Sequence, residues 1–90
     1  MALIDKENFH EISKMKNNVH NDVEATYTSF ISNEKRYFQI DTYGAYNRQN
    51  KGIASQSIQF DRETAKFLCE LLKKHLIFKH HFEFLYNEGD

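Results

Sequence analysis

Arg36-Tyr37-Phe38-Gln39-Ile40-Asp41-Thr42-Tyr43 is followed, after a glycine-bounded loop from Gly44 to Gly52, by Ile53-Ala54-Ser55-Gln56-Ser57-Ile58-Gln59-Phe60. Both runs alternate with a period of two, the signature of strands with one buried and one solvated face. In the first run Phe38 and Ile40 share one face, and Tyr37, Gln39, Asp41 and Tyr43 share the other. In the second, Gln56, Ile58 and Phe60 share one face, and Ser55, Ser57 and Gln59 share the other.

Upstream, Val23 to Ser32 (VEATYTSFIS) is rich in β-branched and aromatic residues and reads as a strand. Asn33-Glu34-Lys35 is a short turn that joins it to the Arg36–Tyr43 strand as a β-hairpin. Downstream, Asp61 stands at an N-cap position, where its carboxylate accepts from the free N–H groups of a first helical turn. The spacing of Ala65, Leu68, Leu72 and Leu76 predicts an amphipathic helix from Arg62 to His75 or beyond, with Cys69 on its buried side. Lys73, Lys74 and His75 suit the negative end of the helix dipole. Phe67 and Leu71 widen the apolar stripe beyond what one sheet face covers. That width points to a partner helix or a dimer, and the expected state is a homodimer whose interface includes Phe67, Leu71 and Lys74.

The expected fold class is α+β: an antiparallel sheet of three to four strands packed on one long C-terminal helix, which covers the Phe38, Ile40, Ile58 and Phe60 face. Residues 1–22 are expected to form a lead-in segment, 23–78 the core, and 79–90 a tail. Within the lead-in, Leu3, Ile4, Phe9, Ile12 and Met15 fit a short helix or an irregular stretch, and Lys16 to Asp22 a polar loop. In the tail, the chain either extends the helix or places Phe82, Phe84 and Tyr86 in an edge strand.

Ninety residues hold a single small domain. Hydrophobic residues at 40% and charged residues at 28% exclude both a disordered chain and a membrane-spanning one. Eight Phe and five Tyr, with no Pro and three Gly, leave no room for a flexible linker. A single cysteine excludes an internal disulfide framework and fits a reducing compartment. The N-terminus carries Asp5 and Glu7 early and has no signal-peptide core, so a cytoplasmic location is expected. The net charge of −1 is unevenly spread. Residues 1–34 and 82–90 are acidic, and the span between them, which includes Lys35, Arg36, Arg48 and Lys51, is basic.

The polar sheet face is the candidate site. Tyrosine planes stack on bases, and glutamine amides and serine hydroxyls bond to base edges, the combination with which sheets bind single-stranded nucleic acid. The basic middle adds phosphate contacts. The candidate contacts are Arg36, Tyr37, Gln39, Tyr43 and Gln59 on strands, with Tyr46, Arg48 and Lys51 in the glycine-bounded loop. Arg48 and Lys51 would clamp phosphates, and Tyr46 would stack. The alternative is a non-catalytic accessory subunit, of a mobile or defence-related system, whose polar face binds a protein partner.

Catalytic chemistry is not expected. Gly44 and Gly52 form no phosphate-cradling motif. Neither His20 with Asp22 nor His80 or His81 with Glu83 supplies three convergent metal ligands. Asp41 with Glu24 lacks the lysine that would complete a nuclease site on the same strand. No metal, cofactor or catalytic residue is assigned.

Two resemblances follow from these residues. Ile40-Asp41-Thr42-Tyr43-Gly44, then Arg48, then Ser55-Gln56 with Ile58-Gln59 resembles a signature of a group of short bacterial proteins of unsettled function. The order of hairpin, polar loop, Lys51-Gly52-Ile53 and Ser55, then an amphipathic helix is similar to the transcriptional-coactivator family called positive cofactor four. That resemblance implies a dimer with a curved antiparallel sheet that binds single-stranded DNA. It casts Arg36, Tyr43, Arg48 and Lys51 as nucleic-acid contacts and the helix as the dimer interface. The slightly acidic net charge, the displaced Ser55 and the acidic tail depart from that family's pattern.

Overall fold

The computed structural model describes residues 1–44 and 53–77. The elements are β1 (Ala2–Ile4), a 3-10 turn (Lys6–Asn8), β2 (Glu24–Ser32), β3 (Lys35–Tyr43), β4 (Gln56–Asp61) and α1 (Arg62–Leu72), which runs into a π-helical turn (Lys73–Ile77). The four strands form one sheet in the order β1-β4-β3-β2.

The class is α+β, and the sheet is mixed rather than purely antiparallel. β2 with β3 and β3 with β4 are antiparallel, whereas β1 lies parallel to β4, pairing Leu3 with Gln59 and Ile4 with Phe60. The expected lead-in therefore supplies an edge strand. Three residues are too few to show alternation, so the sequence pattern carries no trace of it. β4 starts at Gln56, three residues later than expected: Ser55 precedes the strand and is tied by its N–H to the Thr42 carbonyl at 2.8 Å. The tail lies outside the described residues.

The hairpin turn is tighter than the expected three residues. Asn33 and Glu34 both take left-handed backbone, with φ of 50° and 66°, and Lys35 already belongs to β3. Positive φ at both central positions marks a type I′ turn, whose twist matches that of the flanking strands.

Asp61 caps α1 as expected, accepting from the Thr64 N–H at 2.9 Å. Among the described residues the helix spans 11 residues of α-helix and 5 of π-helix, shorter than the one long element expected. Its apolar stripe is also rotated from the expected one. Thr64 is fully buried and Phe67, Leu68 and Leu71 are half-buried, while Leu72 and Leu76 are exposed. Cys69 is exposed, not buried. At 3.6 residues per turn it lies about 140° from Thr64, well off the packed side.

α1 packs against β4, β3 and the 3-10 turn. Phe67 meets Phe9 edge-to-face at 5.7 Å between ring centroids, and the Lys6 ammonium lies 5.8 Å from the Phe67 centroid. Phe60 is the one buried hydrophobe among the described residues, at 7% exposure. The expected cover over its sheet face is incomplete, because Phe38 and Ile58 stay 38% and 37% exposed. Length explains this. Eleven helical residues span roughly 16 Å, while a nine-residue strand spans roughly 30 Å. No helix among the described residues is long and apolar enough to cross a membrane.

Candidate nucleic-acid interface

The register sets the candidate residues in rows across the sheet. Thr28, Gln39, Gln59 and Leu3 form one row, and Thr26, Asp41 and Ser57 the next. Phe30, Tyr37 and Asp61 flank them on one side, and Glu24 with Tyr43 on the other. Tyr37, Gln39, Tyr43 and Gln59 thus share one face, as alternation requires.

A directional chain of hydrogen bonds runs across this face. Gln59 Nε2 donates to Gln39 Oε1 at 2.7 Å. Gln39 Nε2 donates to both oxygens of Asp41, at 2.9 and 3.1 Å. The Ser57 hydroxyl also donates to Asp41 Oδ1. Asp41 is the acceptor on which the chain ends, taking bonds from Gln39 and Ser57, and the chain fixes both glutamine amides in orientation. Among the described residues, the Gln59 carbonyl and the second hydrogen of its amide are left for a ligand. Met1, Ala2 and Leu3 wall a cavity of about 360 Å³ over Gln39, Ser57 and Gln59. The expected site lacked this apolar wall, since it comes from the unforeseen β1.

The tyrosines flank the amides. Tyr37 stacks on Phe30 with centroids 5.6 Å apart and planes 27° apart, half-buried. Tyr43 is joined through its hydroxyl to Thr26 Oγ1 at 3.0 Å. Of the two cations near the turn, Lys35 pairs with Ser32 on the amide-bearing face, while Arg36 pairs with Ile31 on the opposite one. Arg36 is therefore not gathered with the other candidates, and Lys35 takes the place expected of it. Tyr46, Arg48 and Lys51 lie outside the described residues, as do His80 and His81. Ser55 lies just before β4 and bonds the Thr42 carbonyl instead of joining the chain.

Among the described residues, Asp61 is the group whose titration is displaced. The Thr64 N–H holds its carboxyl below the ordinary value of 3.8, and Lys35 adds to the effect against partial desolvation. Of the residues expected at a dimer interface, Phe67 packs on Phe9 of the same chain, Leu71 is half-buried and Lys74 is exposed. A scan against protein-family models, a search of curated proteins and a search of solved structures each found no match.

Proposed function

We propose that the protein is a small cytoplasmic module that binds single-stranded nucleic acid on the face bearing Tyr37, Gln39, Tyr43 and Gln59, without catalysis. The observation that carries the reading is the orientation of the Gln59 amide by Gln39 and Asp41. An immobilised amide with a free carbonyl and a free N–H matches the paired donor and acceptor on the edge of an unstacked base. The cavity between Leu3 and the two glutamines supports the reading, since it offers an apolar wall beside a polar floor. Tyr43 offers a further aromatic plane, and Lys35 offers a cation to the backbone. Arg48 and Lys51 belong to the same proposal as phosphate contacts. The similarity to the positive cofactor four family points the same way.

Fluorescence anisotropy of a labelled mixed-sequence oligonucleotide, titrated with protein at low and high salt, tests the proposal. Binding in the micromolar range that weakens with salt and falls in Gln59→Leu is expected. Absence of salt-sensitive binding at micromolar protein overturns it.

A further inference from the structure

We infer that the protein pairs with a second copy of itself through the free edge of β2, continuing the sheet across a twofold axis centred on Thr28. This inference stands apart from the nucleic-acid reading and survives its failure.

β2 is the last strand of the sheet, and among the described residues nothing pairs with its outer edge. It has nine residues, no Pro, no Lys and no Arg, and its one charge, Glu24, lies at its end. Edges that stay single are blunted by lysine, proline, bulges or shortness, and β2 carries none of these. The hairpin turn fixes which backbone groups face outward. A type I′ turn bonds Ser32 to Lys35, and bonding then alternates along the ladder. Ala25, Tyr27, Ser29 and Ile31 therefore turn their N–H and C=O groups to the open edge.

A twofold axis at Thr28 is the register that uses the whole strand. It sets Tyr27 against Ser29 and Ala25 against Ile31 of the other copy, so all the outward backbone groups meet. It sets Glu24 against Ser32, whose neighbour in the same row is Lys35. The carboxylate of each copy then faces the ammonium of the other across a short serine side chain, at both ends of the seam. Shifting the register by one pair toward the turn would instead bring Glu24 against Glu34.

The exposed side chains agree. Tyr27 and Ile31, 77% and 61% exposed, lie on the Phe38 and Ile58 face. Tyr27 stacks on Phe38 at 5.7 Å. In this register the two Tyr27 rings become diagonal neighbours, within the reach of aromatic side chains. The apolar strips of the two copies join into one.

Two measurements on the full chain decide the matter. Light scattering is expected to give twice the chain mass of 10.8 kDa. Ser29→Lys, which places two cations diagonally across the seam, is expected to halve that mass with an unchanged circular-dichroism spectrum, while Leu72→Lys on the helix leaves it unchanged. In a Cys69→Ser background, Thr28→Cys is expected to form an intermolecular disulfide under mild oxidation. Opposed Thr28 residues form a non-hydrogen-bonded pair about 4.5 Å apart at Cα, within disulfide range. Thr26→Cys, which faces Phe30, is expected to stay reduced. A monomeric parent protein, a dimer that survives Ser29→Lys or yields to Leu72→Lys, or equal cross-linking by the two cysteine variants overturns the inference.

Discussion

Gln59 and Gln39 face each other across the β3–β4 ladder, joined by an amide-to-amide hydrogen bond of 2.7 Å. The bond has a direction because the Gln39 amide nitrogen donates to Asp41, which leaves the Gln39 carbonyl oxygen to accept from Gln59. The carboxylate thus sets the orientation of a residue two steps away to which it makes no hydrogen bond of its own.

Removing the acceptor should cost more than removing the far donor. Asp41→Ala leaves Gln39 Nε2 and the part-buried Ser57 hydroxyl without their partner. Unpaired, partly buried donors cost about 1–3 kcal/mol. Gln59→Leu frees only one carbonyl oxygen of Gln39 and is expected to cost about 1 kcal/mol or less. Urea denaturation of the two variants checks the order. Equal midpoints would break the proposed hierarchy.

The cap at Asp61 gives the protein an acid limb. Its carboxyl titrates below the ordinary value of 3.8 in the folded chain, so as pH falls the unfolded chain takes up the proton first. The cap's contribution is complete above that ordinary value and disappears as pH falls through the lower folded value. Asp61→Asn keeps an N-cap acceptor but has no proton to take up. Its melting temperature is expected to fall less than the parent's between pH 5 and pH 2. Asp61→Ala is expected to lose about 0.5–2 kcal/mol at neutral pH.

Much of this was legible because strands write their faces into sequence. The alternation of Tyr37, Gln39 and Asp41, and of Ser57 and Gln59, is enough to set these side chains on one face, though not to show the hydrogen bonds that join them. The cap was legible from Asp61 alone. The rest depended on long-range choices. β1 is too short to carry a period, and its parallel pairing closes a loop of more than fifty residues, an entropy that local pattern does not report. The helix stripe went astray for a different reason. Thr64, a polar residue, is the most buried position on α1, so a count of apolar residues centred the stripe on Leu68 and Leu72 and set Cys69 inside.

The turn stores strain that one substitution removes. Glu34 holds left-handed backbone at φ 66°, which costs a side chain with a Cβ about 1–2 kcal/mol. Glu34→Gly creates an Asn-Gly pair suited to a type I′ turn. After the added entropy of glycine in the unfolded chain, a net gain of about 0.5–1 kcal/mol remains. In a domain of this size that raises the melting temperature by a few degrees. A lower melting temperature would mean that Glu34 makes an offsetting contact.

The proposed base contacts predict a division of labour between ring and cation. Tyr43 offers a plane whose hydroxyl is already held by Thr26. A base stacked on it would contribute about 1–3 kcal/mol, so Tyr43→Leu should weaken oligonucleotide binding roughly 5- to 150-fold. Tyr43→Phe keeps the ring and should bind within a factor of about two of the parent, since it gives up only the bond to Thr26. Lys35→Gln should act on salt dependence instead, flattening the slope of log affinity against log salt by about one phosphate contact's worth. Anisotropy titrations at several salt concentrations separate the two effects. If Tyr43→Phe and Tyr43→Leu weaken binding alike, the hydroxyl and not stacking is the contact, and the sheet face reads its ligand through hydrogen bonds alone.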